Sequence, residues 1–322
     1  MSDRPQTPDI SVVIPVFNER ANLRPLAARL VPALEGTGLA FEAIFIDDGS
    51  HDDSLPELRA LCAAEPRFRA LSFSRNFGKE VAIAAGLDDA RGRAVVIMDS
   101  DLQHPPEVIP RFVARWREGY KNVYGQRTDR ATDPKLRAVL TRLFYRLIDH
   151  FGDVSLPPGA GDFRLLDRQA VDALLSMRER ARFNKGLFAW IGFKSIGVPF
   201  EVESRASGAS KFNLPRLIRF ALDGIMSFSS IPLKVWTYVG LGISFFALAM
   251  AAYYWARTML FGVDTPGFPT LVVSIAFFSG VQLISLGVLG EYIARIFNEV
   301  KGRPLYLVAE RIEGGKEGGG RA

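Results

Sequence analysis

The chain has 322 residues, 48% of them hydrophobic, and its 40 Lys and Arg residues against 35 Asp and Glu residues give a net charge of +5. The hydrophobic content excludes a disordered chain, and the single cysteine, Cys62, excludes an intramolecular disulfide framework and a multi-cysteine metal site. The positive charge favours an anionic partner, and composition alone leaves nucleic acid, anionic lipid and a phosphorylated substrate open.

Residues 1–9 are polar, which predicts a loose tail and no signal peptide. From residue 10 onward, short apolar runs alternate with segments of helical character. The predicted strands are residues 10–16, 41–46, 68–73 and 94–98, and the predicted helices are residues 22–34, 55–64 and 79–90. This alternation predicts an α/β fold with a mostly parallel sheet that is covered on both faces.

Polar clusters follow three of the predicted strands. Asn18 and Glu19 follow the first strand, Asp47 to Ser50 close the second, and Asp99 to Gln103 follow the fourth. Ligands of parallel sheets bind beyond the carboxyl ends of the strands. The sequence therefore predicts one site at this edge of the sheet.

The Asp99-Ser100-Asp101 triplet is the strongest candidate for a cation site. Its two carboxylates are spaced i, i+2 at a strand end, and Gln103 adds an amide oxygen two residues later. Mg²⁺ and Mn²⁺ prefer such oxygen ligands and bind through one or two carboxylates plus substrate phosphates. The same triplet occurs in ordinary acidic loops, so the position after a strand is what favours a metal. A calcium loop would need more carboxylates and a glycine at a fixed position.

Two further loops each have two interpretations. Residues 47–50 form either a turn with a helix cap or a site where a carboxylate accepts a hydrogen bond from a nucleotide base or ribose. Arg75 and Lys79 are either surface charges or part of an anion site, because a glycine-containing turn opens a helix there. The motifs of dinucleotide oxidoreductases and P-loop ATPases are missing, which argues against both classes.

The C-terminal third changes character. Residues 214–226 carry apolar side chains at helical spacing, which predicts an interfacial amphipathic helix, with a helix packed on a soluble domain as the alternative. Uncharged runs follow at residues 235–256 and 267–290, and each is long enough to cross a bilayer core of about 30 Å. The alternative is a pair of buried helices in a soluble core.

Charges around these runs predict their orientation. The segment between them carries only Arg257 and Asp264, whereas basic residues flank both outer ends, namely Arg216, Arg219, Lys234, Arg295, Lys301 and Arg303. The positive-inside rule therefore predicts a hairpin with both termini in the cytoplasm. Beyond it, Pro304 to Ala309 predict a short strand that can pair with a neighbouring subunit, which favours a homo-oligomer, and residues 314–322 predict a disordered tail.

These patterns predict five segments: a loose N-terminal tail, a cytoplasmic α/β domain, an interfacial helix, a transmembrane hairpin, and a C-terminal strand with a disordered tail. Their respective bounds are residues 1–9, 10–212, 213–232, 233–303 and 304–322.

Seven motifs in a fixed order carry a resemblance to a known family. They are Pro15–Glu19, Ile46–Ser50, Arg75–Lys79, Asp99–Glu107, Gly125–Arg127, Gly161–Leu165 and Arg205–Lys211. This set resembles family 2 glycosyltransferases of the GT-A fold, and within them the polyprenyl-phosphate type, such as bactoprenol glucosyltransferases and dolichol-phosphate mannose synthases. The likeness runs from about residue 10 to residue 305 and includes both apolar runs.

The resemblance implies a nucleotide-sugar donor, Mg²⁺ or Mn²⁺, a polyprenyl phosphate acceptor in the membrane, and no nucleic acid. It places the metal on Asp99, Asp101 and Gln103. It places the nucleotide sugar against Pro15, Phe17, Glu19, Asp47 or Asp48, Arg75, Lys79, Asp99 and Ser100, under a loop that carries Arg205, Ser207 and Lys211. It places the acceptor phosphate on Arg127 and Arg142, with Arg146 as a substitute one helical turn later. The Q-x-x-R-W motif of processive synthases is missing, which implies transfer of a single sugar.

The resemblance also implies that Asp162 is the catalytic base, and physical chemistry qualifies that role. The second pKa of a phosphate monoester is about 6, so the acceptor is largely a dianion at neutral pH and needs little help to lose a proton. Repulsion between two anions is the larger obstacle, since two unit charges 4 Å apart repel by about 4 kcal/mol at an effective dielectric of 20. We therefore expect Asp101, Arg127 and the metal to contribute more than Asp162.

The predicted function is transfer of one hexose, with inversion, from a uridine diphosphate sugar, most simply UDP-glucose, to undecaprenyl phosphate at the cytoplasmic face of the bacterial inner membrane. A mannose, N-acetylhexosamine or aminoarabinose donor is the enzymatic alternative. A non-catalytic membrane scaffold is the other alternative. His51, His104 and His150 lack metal-ligand spacing and are interpreted as loop or surface residues.

Overall fold

A computed structural model describes residues 7–128, 160–180, 182–201, 231–261 and 267–315 of the chain. The chain divides into two compact units. The first comprises residues 1–221 together with residues 303–322, and the second comprises residues 222–302.

The first unit begins with the predicted alternation of strands and helices. Its strands are β1 (Ile10–Val16), β2 (Phe41–Asp47), β3 (Phe68–Phe73) and β4 (Ala94–Ile97), and its helices are α1 (Arg20–Glu35), α2 (Ser54–Ala64) and α3 (Lys79–Asp89). Every residue of these four strands is buried, which is the pattern of a sheet covered on both faces.

The remaining elements of this unit extend the sheet on both sides. After a short 3₁₀ turn at Pro106–Val108 come α4 (Ile109–Arg117), β5 (Asn122–Arg127), β6 (Ala160–Asp167), α5 (Arg168–Ser176), α6 (Asn184–Trp190), β7 (Ser195–Phe200) and, after the second unit, β8 (Val308–Ile312). The strand order is β7-β5-β6-β4-β1-β2-β3-β8. β6 is antiparallel to both of its neighbours and β8 is antiparallel to β3, whereas the other adjacent pairs are parallel. The predicted α/β fold with a mostly parallel sheet is confirmed.

The chain order reverses beside β1. It runs outward through β2 and β3 and then returns to place β4 on the other side of β1. In open α/β sheets the crevice at such a reversal binds the ligand. The loops after β1 and β4 carry two of the predicted polar clusters, and they lie at this point.

Helix α3 lies against the sheet at very close range. A Cβ atom added to Gly86 would lie 2.1 Å from a methyl group of Val13 on β1, so only glycine permits this packing. The helix begins at Lys79. The close packing of α3 on β1 therefore fixes the position of Lys79 at the crevice.

The C-terminal strand differs from the sequence prediction. It begins at Val308 rather than Pro304, because proline donates no ladder hydrogen bond and Tyr306 instead stacks on Phe73, with ring centroids 5.1 Å apart. It pairs with β3 of its own chain, so it gives no support to the predicted homo-oligomer. Gly315 donates a backbone hydrogen bond to Cys62, so the predicted disordered tail starts no earlier than residue 316, outside the described residues.

The second unit contains two long helices, α7 (Ile231–Phe261) and α8 (Phe268–Val300). Each helix contains an apolar stretch long enough to cross a membrane, Tyr238–Phe261 in α7 and Phe277–Val300 in α8. Within each stretch, none of the residues of the apolar 18-residue segment is buried. This exposure contradicts the alternative of two buried helices in a soluble core. The second candidate span ends ten residues beyond the predicted run, because α8 continues through Glu291 and Arg295.

Candidate active site at the carboxyl edge of the sheet

The loops after β1 and β4 are joined directly. The Ser100 hydroxyl donates to the carbonyl oxygen of Pro15 at 3.0 Å, and Ser100 is buried. The backbone N–H of Asp48 donates to Val16 at 2.9 Å, which draws in the loop after β2 as well. The predicted nucleotide residues Pro15, Asp48 and Ser100 therefore lie together, and Ser100 acts as a link between loops.

The two carboxylates at the end of β2 hold backbone and hydroxyl groups. Asp47 accepts hydrogen bonds from the Ser50 N–H at 3.1 Å and from the Ser72 hydroxyl at 2.7 Å. Asp48 accepts the backbone N–H groups of Phe77 and Gly78 at 2.6 and 2.9 Å. Burial raises the pKa of Asp48, although the two N–H groups lower it in part. Asp48 thus positions the glycine-containing turn that leads into α3.

Lys79 joins two parts of the crevice that are distant in sequence. Its ammonium nitrogen lies 2.7 and 2.9 Å from the Asp99 carboxylate oxygens and 2.8 Å from Asp162 Oδ2. Burial alone would lower the pKa of Lys79, but Asp99 and Asp162 raise it above its ordinary value. The predicted metal ligand Asp99 and the predicted base Asp162 therefore both form ion pairs with the Lys79 ammonium group.

Asp162 is held in its ionised form. Burial would raise its pKa, but the positive charges of Lys79, Lys185 and Arg164 lower that pKa well below its usual range. Glu80 also faces this cluster. Burial and the charge of Asp162 raise the pKa of Glu80, and its carboxylate accepts the backbone N–H of Asn184 at 2.8 Å. The pKa of Asp162 is therefore lowered and that of Glu80 is raised, although both carboxylates belong to the same cluster.

Arg164 lies two residues after Asp162 on β6, and its side chain is held by buried contacts. It is buried, its guanidinium lies 3.8 Å from the ring centroid of Phe188, and it donates to the carbonyl oxygen of Gly161 at 2.5 Å. Burial lowers its pKa to about 10, so the guanidinium remains charged at neutral pH. Lys79, Lys185 and, to a smaller extent, the buried Arg164 together keep Asp162 ionised, although its side chain is only 12% exposed.

His104 lies in the loop after β4, as predicted, but its ring is largely buried and is not a surface group. Its side chain is 13% exposed and its ring stacks on Phe163, with centroids 4.9 Å apart and planes 14° apart. Its Nδ1 accepts the backbone N–H of Asp99 at 3.1 Å. Burial lowers the pKa of His104, which matches a neutral ring with Nδ1 as acceptor. The exposed His51 fits the prediction, with its ring edge near Phe17.

The predicted metal ligands fit an open cation site. Asp99, Asp101 and Asp162 all lie near enough to His104 for their negative charges to oppose the lowering of its pKa by burial. Asp162 Oδ1 is buried and accepts no hydrogen bond from any described residue, which leaves an acidic oxygen for a cation. Among the described residues no group of three or more His, Cys, Asp or Glu side chains is arranged to hold a metal ion by itself. Two carboxylates, an amide and substrate phosphates suit Mg²⁺ or Mn²⁺, which keep open positions.

The other predicted site residues differ in their surroundings. Phe17 is 41% exposed at the crevice, and Glu19 accepts from the side-chain amide of Asn22 at 2.5 Å. Arg75 is exposed, and its guanidinium lies 4.0 Å from the Phe77 ring centroid. Arg127 is exposed at the carboxyl end of β5.

Several predicted residues lie outside the described residues. They are Arg142, Arg146, His150, Arg205, Ser207 and Lys211, together with residues 213–230 of the predicted interfacial helix.

The sequence interpretation missed four residues of the cluster: Glu80, His104, Arg164 and Lys185. Glu80 adjoins Lys79 along the chain, and His104 and Arg164 lie within two of the motifs that carry the family resemblance, which are the signals the sequence offers. Lys185 lies in a segment with no motif, and only the packing of α6 brings its charge near Asp162.

Comparison with known proteins identifies the family. Residues 11–175 match the model of glycosyl transferase family 2. The chain is 47% identical over 304 residues to an uncharacterized glycosyltransferase of Synechocystis sp., covering 94% of this chain and 96% of that protein. It is 42% identical over 305 residues to a prophage-derived bactoprenol glucosyl transferase of Shigella flexneri, covering 95% and 99%.

A solved structure is similar to about two thirds of this chain. It is the glucosyl-3-phosphoglycerate synthase from Mycobacterium tuberculosis in complex with Mn²⁺, UDP-glucose and phosphoglyceric acid, with a TM-score of 0.45 and 21% identity over 66% of this chain and 76% of that chain. The family match covers half of the sequence, and the relatives match nearly all of it. The chain therefore belongs to glycosyl transferase family 2, and it is a glycosyltransferase.

Proposed function

We propose that this enzyme transfers one glucosyl group from UDP-glucose to undecaprenyl phosphate, with inversion, at the cytoplasmic face of the bacterial inner membrane. The observation that carries the proposal is the 42% identity to a bactoprenol glucosyl transferase over 99% of that protein's length. A match of that extent includes both α7 and α8 as well as the catalytic unit. The proposal therefore includes the acceptor and the membrane, not only the donor chemistry.

The donor would lie in the crevice between β1 and β4. Asp99, Asp101 and Gln103 would hold Mg²⁺ or Mn²⁺, and such a cation, when bound, neutralises the diphosphate and stabilises it as a leaving group. The sugar nucleotide would lie beside Pro15, Phe17 and Glu19, next to the turn that Asp48 positions. Lys79, at the start of α3, supplies a positive charge within reach of the same diphosphate.

The acceptor phosphate needs positive charge more than it needs a base. Its oxygen would attack C1 of glucose on the face opposite the diphosphate, so that a C1–O bond to the lipid phosphate forms as the C1–O bond to UDP breaks. Because the phosphate is already largely a dianion at neutral pH, no proton has to move. Arg127 at the end of β5 and Arg142 would bind this phosphate. Asp162, ionised and paired with Lys79, would position that lysine.

The two apolar helices support a membrane location. α7 and α8 each contain a candidate membrane span, and no residue of the apolar 18-residue segment in either span is buried. With both ends of this hairpin in the cytoplasm, the catalytic unit would be on the side of the membrane where nucleotide sugars are made.

A donor panel tests the proposal. The full chain in lipid nanodiscs is incubated with undecaprenyl phosphate, Mn²⁺ and, in parallel, radiolabelled UDP-glucose, UDP-N-acetylglucosamine, GDP-mannose or an aminoarabinose nucleotide. We expect label in the organic phase only with UDP-glucose and only when the acceptor is present, with the β anomer in the product. Asp101→Asn is the matched inactive control. Label from another donor would select the alternative sugar, and no label from any donor would favour a scaffold.

A further inference from the structure

His104 closes the loop that carries the predicted metal ligands. The backbone N–H of Asp99 donates to His104 Nδ1 at 3.1 Å, and inside this loop the Gln103 N–H donates to Asp101 Oδ1 at 3.1 Å. Leu102 between them has a φ of +63°, in the left-handed region that a leucine rarely adopts. A backbone reversal of this kind persists only when its surroundings hold it, and the imidazole provides the terminal hydrogen bond.

The same ring anchors this loop to β6. His104 stacks on Phe163, which lies between Asp162 and Arg164 on that strand, and its edge faces Phe200 of β7 with centroids 6.0 Å apart. Phe163 is fully buried, so its position is fixed by the core. His104 therefore connects the main chain of Asp99 with the strand that presents Asp162.

From this geometry we propose that His104 is a positioning residue, which orients the Asp99 carboxylate toward the cation and donor diphosphate by accepting the Asp99 N–H. The inference rests on the proposed function, because it assigns His104 a task in the same donor site. The ring acts through Asp99 and touches neither the cation nor the sugar. Groups that orient a metal ligand typically change metal affinity by about 10- to 100-fold when they are removed.

Two features of the ring can be separated by substitution. His104→Phe keeps an aromatic ring against Phe163 but removes the acceptor. His104→Asn keeps an acceptor, because its side-chain oxygen lies near the position of Nδ1, but removes the stacking ring. A role in orienting Asp99 depends on the acceptor, whereas a role limited to packing depends on the ring.

Mn²⁺ binding in the presence of UDP provides the test. The wild-type chain and both variants, each full length in nanodiscs, are titrated with Mn²⁺ at saturating UDP while electron paramagnetic resonance follows the free ion. We expect His104→Phe to weaken Mn²⁺ binding about 10-fold or more, and His104→Asn to stay within about threefold of wild type. In turnover, kcat should fall more in His104→Phe than KM for UDP-glucose rises.

Every other pattern overturns the inference. Equal losses in both variants, no loss in either, or a larger loss in His104→Asn would show that the acceptor does not orient Asp99. Thermal unfolding checks that the variants are folded, and His104→Leu replaces His104→Phe if the latter does not fold. The titration contains no lipid acceptor, so a wild-type chain that binds Mn²⁺ and UDP but glucosylates no undecaprenyl phosphate would refute the proposed function alone.

Discussion

Asp162→Asn separates a positioning role of this carboxylate from a catalytic base. The substitution removes one negative charge from the Lys79 pair, in which Nζ lies 2.8 Å from Oδ2. At an effective dielectric of 20, unit charges at that distance attract by about 6 kcal/mol before desolvation. Solvent screens part of this attraction because the Lys79 side chain is 41% exposed. The asparagine side-chain oxygen can still accept a hydrogen bond from Lys79. Lys79 also retains its ion pair with Asp99.

The expected effect on turnover is therefore moderate. General base catalysis contributes about 10²- to 10⁴-fold, and the acceptor dianion does not require it. We expect kcat for glucosyl transfer to fall less than about 100-fold, with KM for UDP-glucose changed by a few fold.

The assay is single-turnover transfer of radiolabelled glucose to undecaprenyl phosphate, with binding of each substrate measured separately. Asp101→Asn serves as the control for a carboxylate that the reaction needs. If Asp162→Asn binds both substrates normally yet loses about 10⁴-fold in rate, the Asp162 carboxylate is the catalytic base and not a positioning group.

Further predictions concern the metal, the acceptor and pH. In the assay with radiolabelled UDP-glucose, Asp101→Asn should lose nearly all glucosyl transfer. EDTA should abolish transfer by the wild-type chain until Mn²⁺ or Mg²⁺ is restored. Arg127→Ala combined with Arg142→Ala should lose nearly all transfer while UDP binding, measured by calorimetry, stays within a few fold; lost UDP binding would contradict the acceptor role. The wild-type rate should fall below about pH 6 as the acceptor phosphate gains a proton. Because Lys79 lowers the pKa of Asp162, that carboxylate stays charged in this range, and Asp162→Asn should keep the same acid limb.

The first half of the sheet could be predicted because local patterns determine it. The apolar runs of β1 to β4 are bounded by turn residues, and β3 matches its predicted bounds at both ends. β6 shows no such pattern, since Asp162 and Arg164 interrupt its apolar residues. It forms between β4 and β5, and its partners are far away in sequence. Pairing of this kind depends on the whole sheet rather than on the strand.

The site was predictable to the extent that strand ends and motifs mark it. Those signals place Asp99 and Lys79 at the sheet edge, but the bridge from Lys79 to Asp162 spans 83 residues of sequence and follows only from packing. The role of His104 was hidden for a different reason. Its importance lies in a hydrogen bond to a backbone N–H, and a residue's partners on the main chain leave no pattern in the sequence.

The proposed reaction depends on carboxylates at the rim of the sheet that hold a divalent cation against the donor diphosphate. A structure of the full chain in nanodiscs with Mn²⁺ and UDP would reveal where that cation binds. We expect Mn²⁺ density in contact with Asp99, Asp101 and the diphosphate, in the crevice between β1 and β4. Nucleotide bound outside that crevice, or Mn²⁺ bound to neither aspartate, would contradict it.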